Sequence, residues 1–117
     1  MSAAEWIAKR RELLADATEG PWAAEYSSLH RDCVVPHDAR STREAVAQTR
    51  LLRAAGDAAL IADARTSLPR ALDALEAVLA PHQMHEVPGG QRWCLHCGGD
   101  WPCPTVDAAE TALRGES

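Results

Sequence analysis

Cys94-Leu95-His96-Cys97-Gly98-Gly99-Asp100-Trp101-Pro102-Cys103 is the stretch on which the fold of this chain turns. A C-x2-C turn aims two thiolates at one tetrahedral ion, and Gly98 permits the tight backbone behind the second sulfur. Cys103 can return to the same ion after the Gly-Gly reversal. Three thiolates require a fourth donor, and His85, nine residues before Cys94, is the first choice. A Cys3His set of Cys94, Cys97, Cys103 and His85 closes a structural zinc site with no position left for water. His82 and the remote Cys33 are alternative fourth ligands. His96 ranks below them, because a side chain inside the knuckle points away from the metal.

Other uses of four cysteines fit less well. Two disulfides call for an oxidising compartment, and the N-terminus lacks the charged-then-apolar layout of a secretion signal. A thioredoxin-like pair needs a strand-to-helix setting, which Gly98-Gly99-Asp100-Trp101-Pro102 does not offer. The sharper rival is an iron–sulfur cluster. C-x2-C-x5-C with one upstream cysteine resembles the WhiB-like regulators, and that resemblance implies a [4Fe–4S] cluster on four thiolates, Cys33 being the fourth. The gap from Cys33 to Cys94 is far longer than in that family, and its Gly-rich Trp turn and basic tail are missing. Structural zinc is therefore preferred, with [4Fe–4S] as the alternative.

Upstream of the cysteines the composition changes at Pro81. Pro81, Pro88, Gly89, Gly90, Gly98, Gly99, Pro102 and Pro104 interrupt any regular pattern, until Thr105 caps a last short helix over Val106 to Leu113. Residues 81–117 thus form a metal-binding module, expected to pack on residues 1–80 as a single compact unit.

In the first 80 residues, Ser2-Ala3-Ala4-Glu5 reads as a capping box. The helix after it carries Trp6, Leu13, Leu14 and Ala17 on one face and ends at Thr18-Glu19-Gly20-Pro21. Trp22 to Tyr26 and Cys33 to Val35 read as a β-hairpin around Ser27-Ser28-Leu29-His30-Arg31. Ser41-Thr42-Arg43-Glu44 is a second capping box, leading a helix with Leu51, Ala55, Ala58, Ala59 and Ala62 through about Arg65. Ser67-Leu68-Pro69 starts another, with Leu68, Leu72, Leu75, Val78 and Leu79 on one stripe. The expected fold is α+β and mostly helical: N-terminal helix, short β-hairpin, two packed helices, then a zinc knuckle with a short helix.

The composition says why a staple is needed. Hydrophobic residues make up 46% of the 117, but 23 of them are alanine and none is Phe. Alanine buries little area, and burial is worth only ~25 cal/mol per Å². A chain this short with so thin a core usually leans on a metal, a disulfide or an oligomer partner. The formal net charge of −5 disfavours a large nucleic-acid footprint. No apolar run approaches the ~20 residues of a membrane span. The expectation is a soluble, cytoplasmic protein without membrane contact.

Catalysis has little support, since no H-E-x-x-H, nucleophile elbow, phosphate-cradling Gly loop or paired-carboxylate arrangement is present. The residues outside the cysteine module read mainly as architecture. Lys9-Arg10-Arg11 is a solvated helix face, Trp22 anchors the hairpin, and Trp93 and Trp101 shield the metal. Arg43, Arg50 and Arg53 would serve a nucleic-acid-binding regulator, but Glu44 and Asp57 dilute them. His30 and His37 around Cys33 fit a half-exposed hairpin better than a second metal site.

Two further segments carry a resemblance. Ala17-Thr18-Glu19-Gly20-Pro21-Trp22, Asp57 to Arg65 and Leu68-Pro69 to Glu76 resemble the "ATPGPW", "DAxFIAxAR" and "xxPxLLxxLE" elements of small early proteins of temperate phages and their actinobacterial relatives. Trp93-Cys94 through Trp101-Pro102-Cys103-Pro104-Thr105 is similar to the "WCxxCxxxWPCPT" tail of short actinobacterial and actinophage proteins. The resemblance implies a phage or prophage origin, and an upstream His beside the cysteines. Together with the acidic balance it leads to a non-enzymatic, zinc-stapled interaction protein that modulates a host protein, with homo-oligomerisation possible. A small nucleic-acid-binding or iron–sulfur regulator is the alternative.

Overall fold

The computed structural model describes residues 2–25, 32–41, 44–50 and 53–115. The elements in chain order are α1 (Ala3–Asp16), β1 (Trp22–Glu25), β2 (Cys33–Pro36), β3 (Ala47–Gln48), α2 (Ala54–Leu79), β4 (Met84–Glu86), β5 (Arg92–Cys94) and α3 (Pro104–Leu113). The fold is α+β, with three helices and two small antiparallel sheets among the described residues. No described helix is long and apolar enough to cross a membrane. The chain divides into two compact units, residues 11–71 and residues 1–10 with 72–117.

Residues 11–71 are built on a three-stranded sheet in the order β1-β2-β3. The expected hairpin is present: β1 pairs with β2 so that Trp22 meets Pro36 and Ala24 meets Val34. Period-2 alternation puts Trp22, Ala24 and Val34 on one face, where Val34 joins Ala58 and Ala62 in a small core. Ile61, Val46 and Ala47 pack against the same cluster. The alanines here are an asset, because their short side chains let helix and sheet approach closely.

The third strand replaces the start of an expected helix. Backbone N–H groups of Val46 and Thr49 donate to the carbonyls of Val34 and Asp32, at 2.8 Å each. They extend the open side of β2, where β-branched residues pack well. Glu44 acts as half a capping box, its carboxylate accepting from the N–H groups of Arg40 (2.6 Å) and Ser41 (3.3 Å). The Glu44 N–H donates to the Ser41 carbonyl at 3.2 Å, and the described residues 45–50 are not helical. The helix begins only at Ala54. Tyr26, the turn Ser27 to Arg31 with His30, Thr42, Arg43 and Leu51 lie outside the described residues.

The expected pair of helices is one. α2 runs 26 residues through Pro69 without interruption. Proline lacks an N–H and costs an interior helix about 3 kcal/mol, yet strong helix formers continue through Leu79 and bury Leu72 to 1% exposure. Ser67, expected to open a second helix, donates its hydroxyl to the Asp63 carboxylate one turn back, at 2.7 Å.

The start of α1 is as expected. The Ser2 hydroxyl accepts the Glu5 N–H at 3.1 Å. Its buried residues are Ala3 and Ile7, whereas Leu13 of the expected face is 55% exposed. Where the chain turns after α1, the Thr18 carbonyl accepts both the Trp22 indole N–H (3.1 Å) and the Arg65 Nε–H (3.2 Å). Arg65 lies so close to the turn that a Cβ on Gly20 would sit 2.8 Å from its Cγ.

In the second unit, β4 and β5 form a hairpin that the Gly- and Pro-rich composition concealed. Gly89 and Gly90 both take positive φ (110° and 85°) in its turn, a conformation glycine adopts without steric cost. The core of this unit is Cys94, Cys103 and Val106, with Leu79 and Trp101 packed against it. Leu79 is the last residue of α2, and the division of the chain falls inside that helix, between Ala71 and Leu72.

Candidate metal centre

Three backbone features bring the cysteines together. β5 delivers Cys94, whose N–H donates to the Gly99 carbonyl at 2.9 Å and whose carbonyl accepts the Gly98 N–H at 2.8 Å. Gly98 adopts φ +75°, so the backbone turns sharply after Cys97, as the sequence led one to expect. Cys103 stands at the N-cap of α3, its carbonyl accepting the Asp107 N–H at 2.9 Å.

The fourth member is His82, presented by the last turn beyond α2, where its N–H donates to the Leu79 carbonyl at 2.9 Å. Its Nδ1 lies 3.6 Å from Cys94 Sγ, 3.4 Å from Cys97 Sγ and 3.4 Å from Cys103 Sγ. A single N–H cannot serve three sulfurs equally, so hydrogen bonding does not account for the arrangement. A tetrahedral metal ion fits it: bonds of ~2.3 Å to sulfur and ~2.0 Å to nitrogen, as zinc makes, give an N···S edge of about 3.5 Å. All four donor atoms lie within 4.8 Å of one another, and this group can hold a metal ion.

Electrostatics agree with a cation among these donors. Burial pushes the Cys94 thiol up, but the backbone of Cys97, the His82 side chain, the backbone of His96 and the Cys103 side chain outweigh it, leaving the value at about 6. Desolvation, then the neighbouring Cys103 and Cys94 sulfurs, push the Cys97 thiol up to about 11. One thiolate therefore forms readily and the next is opposed by it. A divalent ion at the centre of the group removes that conflict.

Of the residues singled out from the sequence, Cys94, Cys97 and Cys103 come together as expected, and the imidazole beside them is that of His82, not His85. The register of the hairpin explains why. Met84 pairs with Cys94 and His85 with Trp93, and adjacent strand residues face opposite ways. His85 thus shares the face of Trp93, their rings 4.8 Å apart, and points away from the Cys94 sulfur. His96 packs edge-on against His82 at 4.8 Å between centroids, beside the donor group and outside it. Cys33 belongs to the other compact unit, where its Sγ donates to the Asp32 carboxylate at 3.5 Å. None of the four cysteines is in a disulfide.

Compared with protein-family models, curated proteins and solved structures, the chain gives no match to any of them.

Proposed function

We propose that this chain is a small zinc-stapled interaction protein, in which Cys94, Cys97, Cys103 and His82 hold one structural zinc ion. The observation that carries the reading is the placement of His82 Nδ1 at 3.4–3.6 Å from all three sulfurs. Four protein donors complete a tetrahedron and leave no position for a reactive water, so the zinc in this reading is structural and its support is for a non-enzymatic role. A histidine in the set favours zinc over [4Fe–4S], whose cluster in the WhiB-like pattern takes four thiolates. The metal's role is to hold α3 and the β4–β5 hairpin around a core that contains two of its own ligands.

The task we assign is that of a phage-type modulator of a host protein, acting in the bacterial cytoplasm. Its support is the resemblance of the Ala17-to-Trp22, Asp57-to-Arg65, Leu68-to-Glu76 and Trp93-to-Thr105 segments to small phage and actinobacterial proteins, together with the net charge of −5. Exposed apolar side chains offer contacts, among them Leu60 at 70% and Leu95 at 57% exposure. Purified protein should contain one zinc per chain and bind its partner only in that state. Metal-free protein that stays folded, or salt-dependent binding to DNA lost on replacing Arg50 and Arg53, would overturn this reading in favour of another.

A further inference from the structure

We infer that Cys97 is the point at which a peroxide opens the metal site, making the staple sensitive to oxidation. The inference rests on the zinc reading above and concerns the regulation of that same site. Its basis is an asymmetry among the three thiolates. Cys94 and Cys103 have 0% exposure, whereas Cys97 is exposed. Its sulfur nevertheless lies within 4.8 Å of both buried sulfurs. Held as a thiolate by the metal, an accessible sulfur with a second sulfur beside it is the arrangement that oxidation selects.

The chemistry takes two steps. The Cys97 thiolate attacks one oxygen of the peroxide, the O–O bond breaks, and hydroxide leaves and takes up a proton to become water. The sulfur is oxidised by two electrons to the sulfenic acid while the peroxide is reduced. The thiolate of Cys94 or Cys103 then attacks the Cys97 sulfur, the S–O bond breaks, hydroxide leaves and a disulfide forms. Two of the four donors are now tied to each other, and the metal departs. Because Cys94 and Cys103 also form the core with Val106, Leu79 and Trp101, its departure loosens the seat of α3.

The test is to titrate the purified zinc-loaded protein with hydrogen peroxide while a chromogenic chelator reads released zinc, and to map disulfides by mass spectrometry. The expected result is loss of one zinc per chain with formation of a disulfide that contains Cys97, both reversed by dithiothreitol and added zinc. Iodoacetamide applied to the zinc-loaded protein is expected to label Cys97 before Cys94 and Cys103. Cys97→His, which keeps a donor but removes the oxidisable sulfur, is expected to retain its zinc under peroxide. Cys33→Ala is expected to release zinc as the native chain does. Retention of zinc by the native protein, a Cys94–Cys103 disulfide, or earlier labelling of a buried cysteine would overturn the inference and leave the zinc reading intact. An untreated sample without zinc would overturn the zinc reading itself.

Discussion

The imidazole Nδ1 of His82 stands 3.4 Å from the sulfur of Cys103, a residue 21 positions further along the chain. That one relationship joins the end of α2 to the start of α3, and it defines which histidine matters. His82→Ala is expected to abolish tight zinc binding, while His85→Ala keeps it. The second change removes only a ring contact with Trp93, worth about 1 kcal/mol. Zinc affinity measured by competition with a chromogenic chelator separates the two. Equal losses would contradict the assignment.

Cys94 and Cys103 belong both to the group that can hold a metal ion and to the core. Zinc binding supplies ~10–16 kcal/mol to small zinc-finger peptides, as much as the whole stability of many domains. Cys94→Ser and Cys103→Ser are each expected to unfold the C-terminal segment and lower the first thermal transition by tens of degrees. Melts followed by circular dichroism with equal zinc present will read it, and an unchanged curve would refute the staple.

Chelation should affect the two compact units unequally. The core of Val34, Ala58 and Ala62 contains no member of the group that can hold a metal, whereas the other core contains two. On adding a strong chelator, near-ultraviolet signals from Trp93 and Trp101 are expected to collapse while part of the helical far-ultraviolet signal persists. Amide hydrogen exchange assigns the change: protection should vanish in β4, β5 and α3 and remain in β2. Uniform loss of protection would show that the metal stabilises the whole chain cooperatively.

Gly20 tests the turn after α1. A methyl group there would sit 2.8 Å from Arg65 Cγ, so Arg65 must move and its 3.2 Å bond to the Thr18 carbonyl is disturbed. Gly20→Ala is expected to destabilise residues 11–71 by about 1 kcal/mol, the usual net size of one intramolecular hydrogen bond. Urea denaturation of the zinc-loaded protein measures this. Adding Arg65→Ala should recover little, because it removes the same bond.

The elements that were legible in the sequence are those written in local chemistry. Ser2 caps α1, Trp22 and Val34 fall on one face of a hairpin, and the three cysteines meet at a turn that Gly98 permits. What was not legible depends on partners distant in sequence. Ser41 to Glu44 has the residues of a capping box, but β2 takes up the following backbone as a third strand. Pro69 looks like a helix start and is carried inside α2, where Leu72 just beyond it is buried. His85 and His82 are indistinguishable by spacing alone. Only the pairing of Met84 with Cys94 decides that His85 faces the other way, and strands of three residues leave too short a pattern to reveal that register.

The most direct test of the account is the metal content of the purified protein, measured by elemental analysis together with a visible spectrum taken without oxygen. The expected result is one zinc per chain in a colourless sample, retained by His85→Ala and lost by His82→Ala. A brown sample containing iron, or a folded and stable protein with no metal at all, would contradict it.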